Sequence, residues 1–298
     1  MLQRVLSGVV GIPLFLAICF SGHFVFALCI CALAGLAVRE WLAAYAIPDP
    51  VPAAPESAPA EGEIVFPNLL FNRLTAWAGV FLPLLVFGTL IKFTLLLPVY
   101  IMERVLIVCV LMWMTWHAAR TGRALGWLRI YYGPVAYFYI GALFSSYVLL
   151  RSLPGRLTVA PFPEADRGAW IFLLVVVCVW ATDTFAYFVG RAIGRRKLAP
   201  TLSPGKTIEG SLGGLLGALA VGTAFALWLR LPPSHGLVIG AIAGIAGQIG
   251  DLFESALKRE LGIKDFGGIL PGHGGILDRF DSLLFVAPLA YLALRLLA

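Results

Sequence analysis

The chain is a succession of long apolar runs separated by short polar segments. Runs of about 17–25 hydrophobic residues recur, the length an α-helix needs to cross a bilayer. They predict nine spans, at about residues 5–22, 24–46, 73–92, 97–117, 131–150, 169–190, 211–230, 235–252 and 281–297. The expected fold class is all-α, a polytopic integral membrane helical bundle, because a helix satisfies its own backbone groups in lipid. A β-barrel would show short alternating segments instead of continuous runs. The first two helices fill residues 1–47, and no A-x-A site follows Phe20, so an uncleaved first span is expected. Residues 48–72 form a Pro/Ala-rich, acidic linker expected to be disordered. Helices three to five lie in 73–167, and the polar motifs gather in 168–298.

Composition agrees with a membrane protein. Only 13% of the 298 residues are charged and 60% are hydrophobic, with a mean hydropathy of +0.91. The five cysteines (Cys19, Cys29, Cys31, Cys109, Cys178) lie inside apolar runs and read as small buried hydrophobes. No nucleic-acid partner is expected. With nine spans and the N-terminus inside, inner cations outnumber outer ones roughly two to one, as the positive-inside rule requires. That orientation puts loops 191–210 and 253–280 on the cytoplasmic face. In the eighth span Gly236, Gly240 and Gly244 recur every fourth residue. The stripe predicts close helix packing, within a protomer or between the two copies of a homodimer.

The candidate chemistry lies in those two loops. In S-P-G-K-T, Ser203 before Pro204 reads as an N-cap followed by proline at the first helical position. Lys206 and Thr207 would add a cation and a hydroxyl for a phosphate. A Walker A motif is excluded, because position 200 is proline and no hydrophobic strand precedes it. Asp183 is an acid within a span, where such residues face a cavity or a partner. Asp251 ends the predicted eighth span, either as a functional acid or as a marker of the water interface. Asp278 and Asp281 stand three apart, on one face if a helix begins there. Paired acids of this kind can hold Mg²⁺ together with water and phosphate. Asp281 could instead be only an N-cap, and Arg279 could neutralise either acid. His273, in P-G-H-G-G, could touch a phosphate, bind metal or cap a turn.

From Ser255 to Asp281 the sequence resembles the phosphatidate cytidylyltransferase family, also called CDP-diacylglycerol synthases. The family pattern is S-x-apolar-K-R-x4-K-D, a glycine-containing spacer, then H-G-G-x-x-D-R-x-D. Ser255, Lys258, Arg259, Lys264, Asp265, His273, Gly274, Gly275, Asp278, Arg279 and Asp281 fall in place. D-T-F-A-Y-F-V-G-R from Asp183, G-R-R-K-L-A-P from Gly194 and S-P-G-K-T-I-E-G from Ser203 extend the resemblance over about residues 180–282. The family often has lysine where this chain has Gly205, so Lys206 must act alone.

The resemblance implies a Mg²⁺-dependent reaction, with a second cation allowed, between CTP and phosphatidate in the membrane lipid. CDP-diacylglycerol and pyrophosphate would be formed at a cytoplasmic site of a bacterial inner membrane. It implies a catalytic set of Asp251, Asp278, Asp281, Lys258, Arg259, Lys264, Asp265, His273 and Arg279, with Asp251, Asp278 and Asp281 as metal ligands. Substrate would be held by Ser203, Lys206, Thr207 and Asp183. A cytidylyltransferase for another lipid phosphate, such as the archaeal ether-lipid enzymes, is the nearest alternative. A transporter would place acids at mid-bilayer on several helices, whereas here they concentrate late in the chain.

Overall fold

A computed structural model describes residues 2–45, 69–92, 97–121, 131–159, 162–269, 272 and 274–297. Residues 48–68 of the expected linker lie outside the described residues, as does His273. The order is α1 (Leu2–Cys19), α2 (His23–Tyr45), α3 (Leu69–Val80), α4 (Leu82–Lys92) and α5 (Leu97–Thr121). Next come α6 (Tyr132–Ala136), a π-helical turn (Tyr137–Ala142), α7 (Leu143–Arg151) and a hairpin of β1 (Arg156–Val159) and β2 (Phe162–Asp166). Then α8 (Arg167–Ile193), a hairpin of β3 (Lys197–Ala199) and β4 (Ser203–Thr207), and α9 (Ile208–Trp228) follow. The chain continues through α10 (Pro233–Ile242), a second π turn (Ala243–Gly247), α11 (Gln248–Leu261) and α12 (Leu277–Leu296).

The helical bundle matches the expected class, with two short antiparallel hairpins added. Among the described residues, six helices are long and apolar enough to cross a membrane, or seven if the bent pair α3–α4 is one span. Nine were expected from the runs. The run at 73–92 is broken at Phe81 by a 42° bend. Pro83 sits in the first turn of α4, where its missing N–H is not needed. α12 holds Asp278, Arg279, Asp281 and Arg295, too many charges for the apolar set.

The predicted eighth span, 235–252, is too short. α10, the π turn and α11 form one helical run from Pro233 to Leu261, 29 residues. At 1.5 Å per residue this is about 44 Å, longer than the hydrocarbon core. Asp251 is therefore not the end of a helix; Ser255, Lys258 and Arg259 follow it on the same one. Gly262, with φ 66°, closes α11 in the left-handed conformation that suits glycine.

Close packing joins the C-terminal helices. A methyl on Gly214 of α9 would lie 2.7 Å from the Thr182 carbonyl oxygen of α8. On the other side of α9, one on Gly240 would lie 2.5 Å from the Ala218 carbonyl oxygen. The glycine stripe of α10 thus packs within the protomer. At the opposite end of α8, Asp166 accepts from Ala169 N at 3.2 Å and from Arg151 Nη1 at 2.8 Å, tying α7 to α8. A buried aromatic cluster that includes Tyr139, Phe253 and Phe285 joins the first π turn to α11 and α12.

Gly240→Leu should destabilise the protein by about 1–3 kcal/mol, the usual effect of overpacking. Gly88→Leu, where nothing lies within 4 Å of an added methyl, should leave stability unchanged or higher. Thermal unfolding in detergent checks this; equal melting temperatures for both variants would contradict the packing.

Candidate active site

The last turns of α8 present Asp183, Ala186, Tyr187, Gly190 and Arg191, spaced at three and four residues, along one face. That face lines a cavity of about 480 Å³. Ser203, Gly205, Lys206 and Thr207 of β4, Gly210 and Ser211 of α9, and Gln248 and Asp251 of α11 complete its wall.

Local geometry corrects one expectation. Ser203 is not an N-cap. It opens β4, which pairs with β3 through Ala199↔Ser203 and Lys197↔Thr207. The pairing keeps 203–207 extended, and α9 starts only at Ile208. Thr207 is the N-cap, its hydroxyl accepting from Gly210 N at 3.1 Å. Glu209 in the first turn accepts from Arg195 N at 3.0 Å and so fixes the approach to β3.

Two lysines organise the charges. Lys206 Nζ lies 2.6 Å from Asp251 Oδ2 in the cavity wall, with the lysine side chain 25% exposed. Asp251 and Asp183 lie close enough to act electrostatically on Asp281, and Arg279 acts on Asp183. Lys258 is set deeper, at 2.8 Å from Glu254 Oε1 and 2.9 Å from Asp278 Oδ1. The other Asp278 oxygen accepts from Phe266 N at 3.0 Å and Gly275 N at 2.8 Å. Asp278 and Asp281 thus share the start of α12 but serve different partners.

The remaining expected residues are dispersed. Arg259 is exposed and donates from Nε to the Leu202 carbonyl at 3.3 Å, linking α11 to the β3–β4 turn. Lys264 and Asp265 are exposed and do not line the cavity. Among the described residues no group of three or more His, Cys, Asp or Glu side chains encloses a metal position. Sequence reasoning missed Tyr187, Arg191, Gln248, Glu254 and Glu40. Glu254 did carry a local signal, since it stands four residues before Lys258.

Fold and site together define a multi-pass membrane protein with a cation-and-carboxylate cavity beside a helix N-terminus. The Cytidylyltransferase family matches residues 2–297. The phosphatidate cytidylyltransferase of Synechocystis is 33% identical over 306 aligned residues, covering 97% of this chain and 94% of that protein. Those of Bacillus subtilis and Staphylococcus saprophyticus are 45% and 47% identical over 164 and 136 residues. These matches cover 54% and 43% of this chain, and 57% and 50% of the two relatives. The chain therefore spans about half the length of these last two. It belongs to the cytidylyltransferase family.

The two lysines should differ in what they stabilise. Lys258→Met strands the buried carboxylates of Glu254 and Asp278 and should cost about 3–5 kcal/mol. Lys206→Met removes one partly exposed pair and should cost about 1 kcal/mol or less. Denaturation of the purified variants in detergent measures both; equal losses would contradict the assignment.

Proposed function

We propose that this protein transfers the cytidylyl group of CTP to phosphatidate, releasing CDP-diacylglycerol and pyrophosphate. Support comes from the family match along the chain and from the names of its relatives. The observation that carries the reading to particular residues is the Lys206–Asp251 pair in the cavity wall. A triphosphate needs a cation beside a helix N-terminus, and Lys206 directly precedes the cap of α9. Asp251 is the counter-ion of Lys206; a phosphate would offer that lysine a second anionic partner. An added methyl at Gly205 would meet nothing within 4 Å, so Lys206 has open space beside it.

A phosphatidate oxygen attacks the α-phosphorus of CTP, and the bond from that phosphorus to the β-bridging oxygen breaks. Pyrophosphate carries away the electron pair. The phosphomonoester is already largely ionised near neutral pH, with a second pKa of about 6, so no general base is required. The protein's work is to position two polyanions and to offset the charge that develops between them. Lys206 and the α9 terminus hold the nucleotide phosphates. Arg191, on the α8 face of the same cavity, is placed for the lipid phosphate, and its Nη1 lies 3.1 Å from the Tyr187 hydroxyl.

Mg²⁺ fits this wall, because it binds through one or two carboxylates and keeps sites for water and phosphate. Asp251 in the wall would hold it with Asp281, which stands outside the lining but within electrostatic reach of Asp251 and Asp183, whereas the oxygens of Asp278 are engaged by Lys258 and two backbone N–H groups. Once bound, it would neutralise phosphate charge. The site faces the cytoplasm of a bacterial inner membrane in this reading, where an anionic lipid meets a basic protein surface.

Lys206→Ala removes one charge-assisted interaction, worth roughly 1.5–3 kcal/mol. Catalytic efficiency should fall about tenfold to a hundredfold for every lipid phosphate tested with labelled CTP. A change confined to the lipid dependence would assign this strand to the lipid headgroup instead. No turnover by the unaltered protein with any lipid phosphate in the panel would overturn the activity itself. Asp281→Asn should raise the Mg²⁺ concentration needed for half-maximal rate. For orientation, Lys197→Cys and Lys264→Cys should resist an impermeant thiol reagent in sealed cells; ready labelling of both would reverse the topology.

A further inference from the structure

The start of α12 is held from the far end of the sequence. Glu40, near the end of α2, is 4% exposed although it lies in an apolar helix. Ile276 N donates to its Oε1 at 3.0 Å and Leu277 N to its Oε2 at 3.2 Å. These are N–H groups at a helix start, which have no acceptor within their own helix. The preceding N–H, of Gly275, goes to Asp278. Three consecutive backbone donors are therefore held by two carboxylates, one local and one 236 residues away.

Gly267 and Gly275 close around the Glu40 carboxylate. A methyl on Gly275 would lie 2.5 Å from Glu40 Oε2, and one on Gly267 would strike Oε1. Beside it Trp41 stacks on Phe266 at 5.7 Å with an 11° tilt, and Trp41 Nε1 donates to the Tyr132 carbonyl at 3.0 Å. Both ends of the loop between α11 and α12 are thus seated on α2. A buried acid in a spanning helix is costly unless its charge is partnered. Here the negative charge meets the positive end of the α12 dipole.

We propose that Glu40 is a positioning residue, which sets the height and rotation of α12 and thereby the placement of Asp278 and Asp281. This rests on the reading that Asp281 of α12 acts in cytidylyl transfer. Glu40 touches none of the reacting groups, so its removal should lower kcat more than it alters KM for CTP. Small misplacements of a site by distant changes can cost about a hundredfold.

The test measures kcat, KM and backbone hydrogen exchange on the full-length protein in detergent. Glu40→Ala should lower kcat about tenfold to a hundredfold and raise exchange at Ile276 and Leu277. Glu40→Gln, which keeps one acceptor, should fall between that variant and the unaltered protein. Gly275→Ala attacks the same seat from the loop side, so Glu40→Ala combined with Gly275→Ala should be no worse than Glu40→Ala alone. Multiplying losses would show that the two residues do not share a seat and would overturn the inference. An unchanged kcat in Glu40→Ala, with the Mg²⁺ requirement of Asp281→Asn raised, overturns the inference and leaves the reading of α12 standing. An unaltered Mg²⁺ requirement in Asp281→Asn overturns that reading, and the inference with it.

Discussion

Two helices can approach to backbone contact only where neither places a side chain between them. α9 meets that constraint where it crosses α8 at Gly210 and Gly214, which lie against the carbonyls of Ala186 and Thr182, while Gly213 and Gly217 make room for the side chains of Val189 and Phe185. The consequences reach the cavity. With the helices this close, the β3–β4 hairpin that joins them must fold over their shared end. Thr207 then packs beside Gly190 and Gly194 of the α8 end, and Lys206 lies over Asp251. Wider spacing would move β4 away from Asp183, and cation and carboxylates would no longer face one space.

The other half of the site depends on charge satisfaction more than on approach. Lys258, paired with Glu254 on its own helix, joins α11 to α12 through Asp278, and Asp278 gathers the loop by two backbone donors. Charges so buried are retained only when each has its partners. Glycines at 267 and 275 leave room for the Glu40 carboxylate, so glycine content and buried charge in this loop are one requirement.

Much of this was legible in the sequence because helices in lipid must be apolar over a fixed length. The runs at 24–46, 97–117, 131–150 and 169–190 correspond closely to α2, α5, the α6–α7 run and α8. Boundaries failed where polar residues continue a helix beyond the apolar stretch. Asp251 looked terminal because hydropathy falls there, yet hydrogen bonding carries α11 on to Leu261. Ser203 looked like a cap because Ser-Pro is a strong local signal, and strand pairing with 197–199 overrides it. The shared cavity of S-P-G-K-T, Asp183 and Asp251 was within reach, since the predicted spans put all three toward one expected face. Glu40 was not, because its partners are distant in sequence and its only local mark is a lone acid in an apolar run.

The motif that carries the family resemblance mixes two kinds of charge, which residue type alone does not separate. Lys258 lies between Glu254 and Asp278, both nearly inaccessible, so moving it to a phosphate would leave two carboxylates buried without a cation. Among the described residues Lys206 pairs with one carboxylate and remains partly exposed in a cavity wall, so it can exchange that partner without stranding a buried charge. Both lysines would score alike in a list of motif residues. Burial and the number of partners divide them into one that holds the helices and one available to a ligand. The same criterion divides the acids: Asp278 is engaged at both oxygens by groups of the fold, whereas Asp183 and Asp251 line open space.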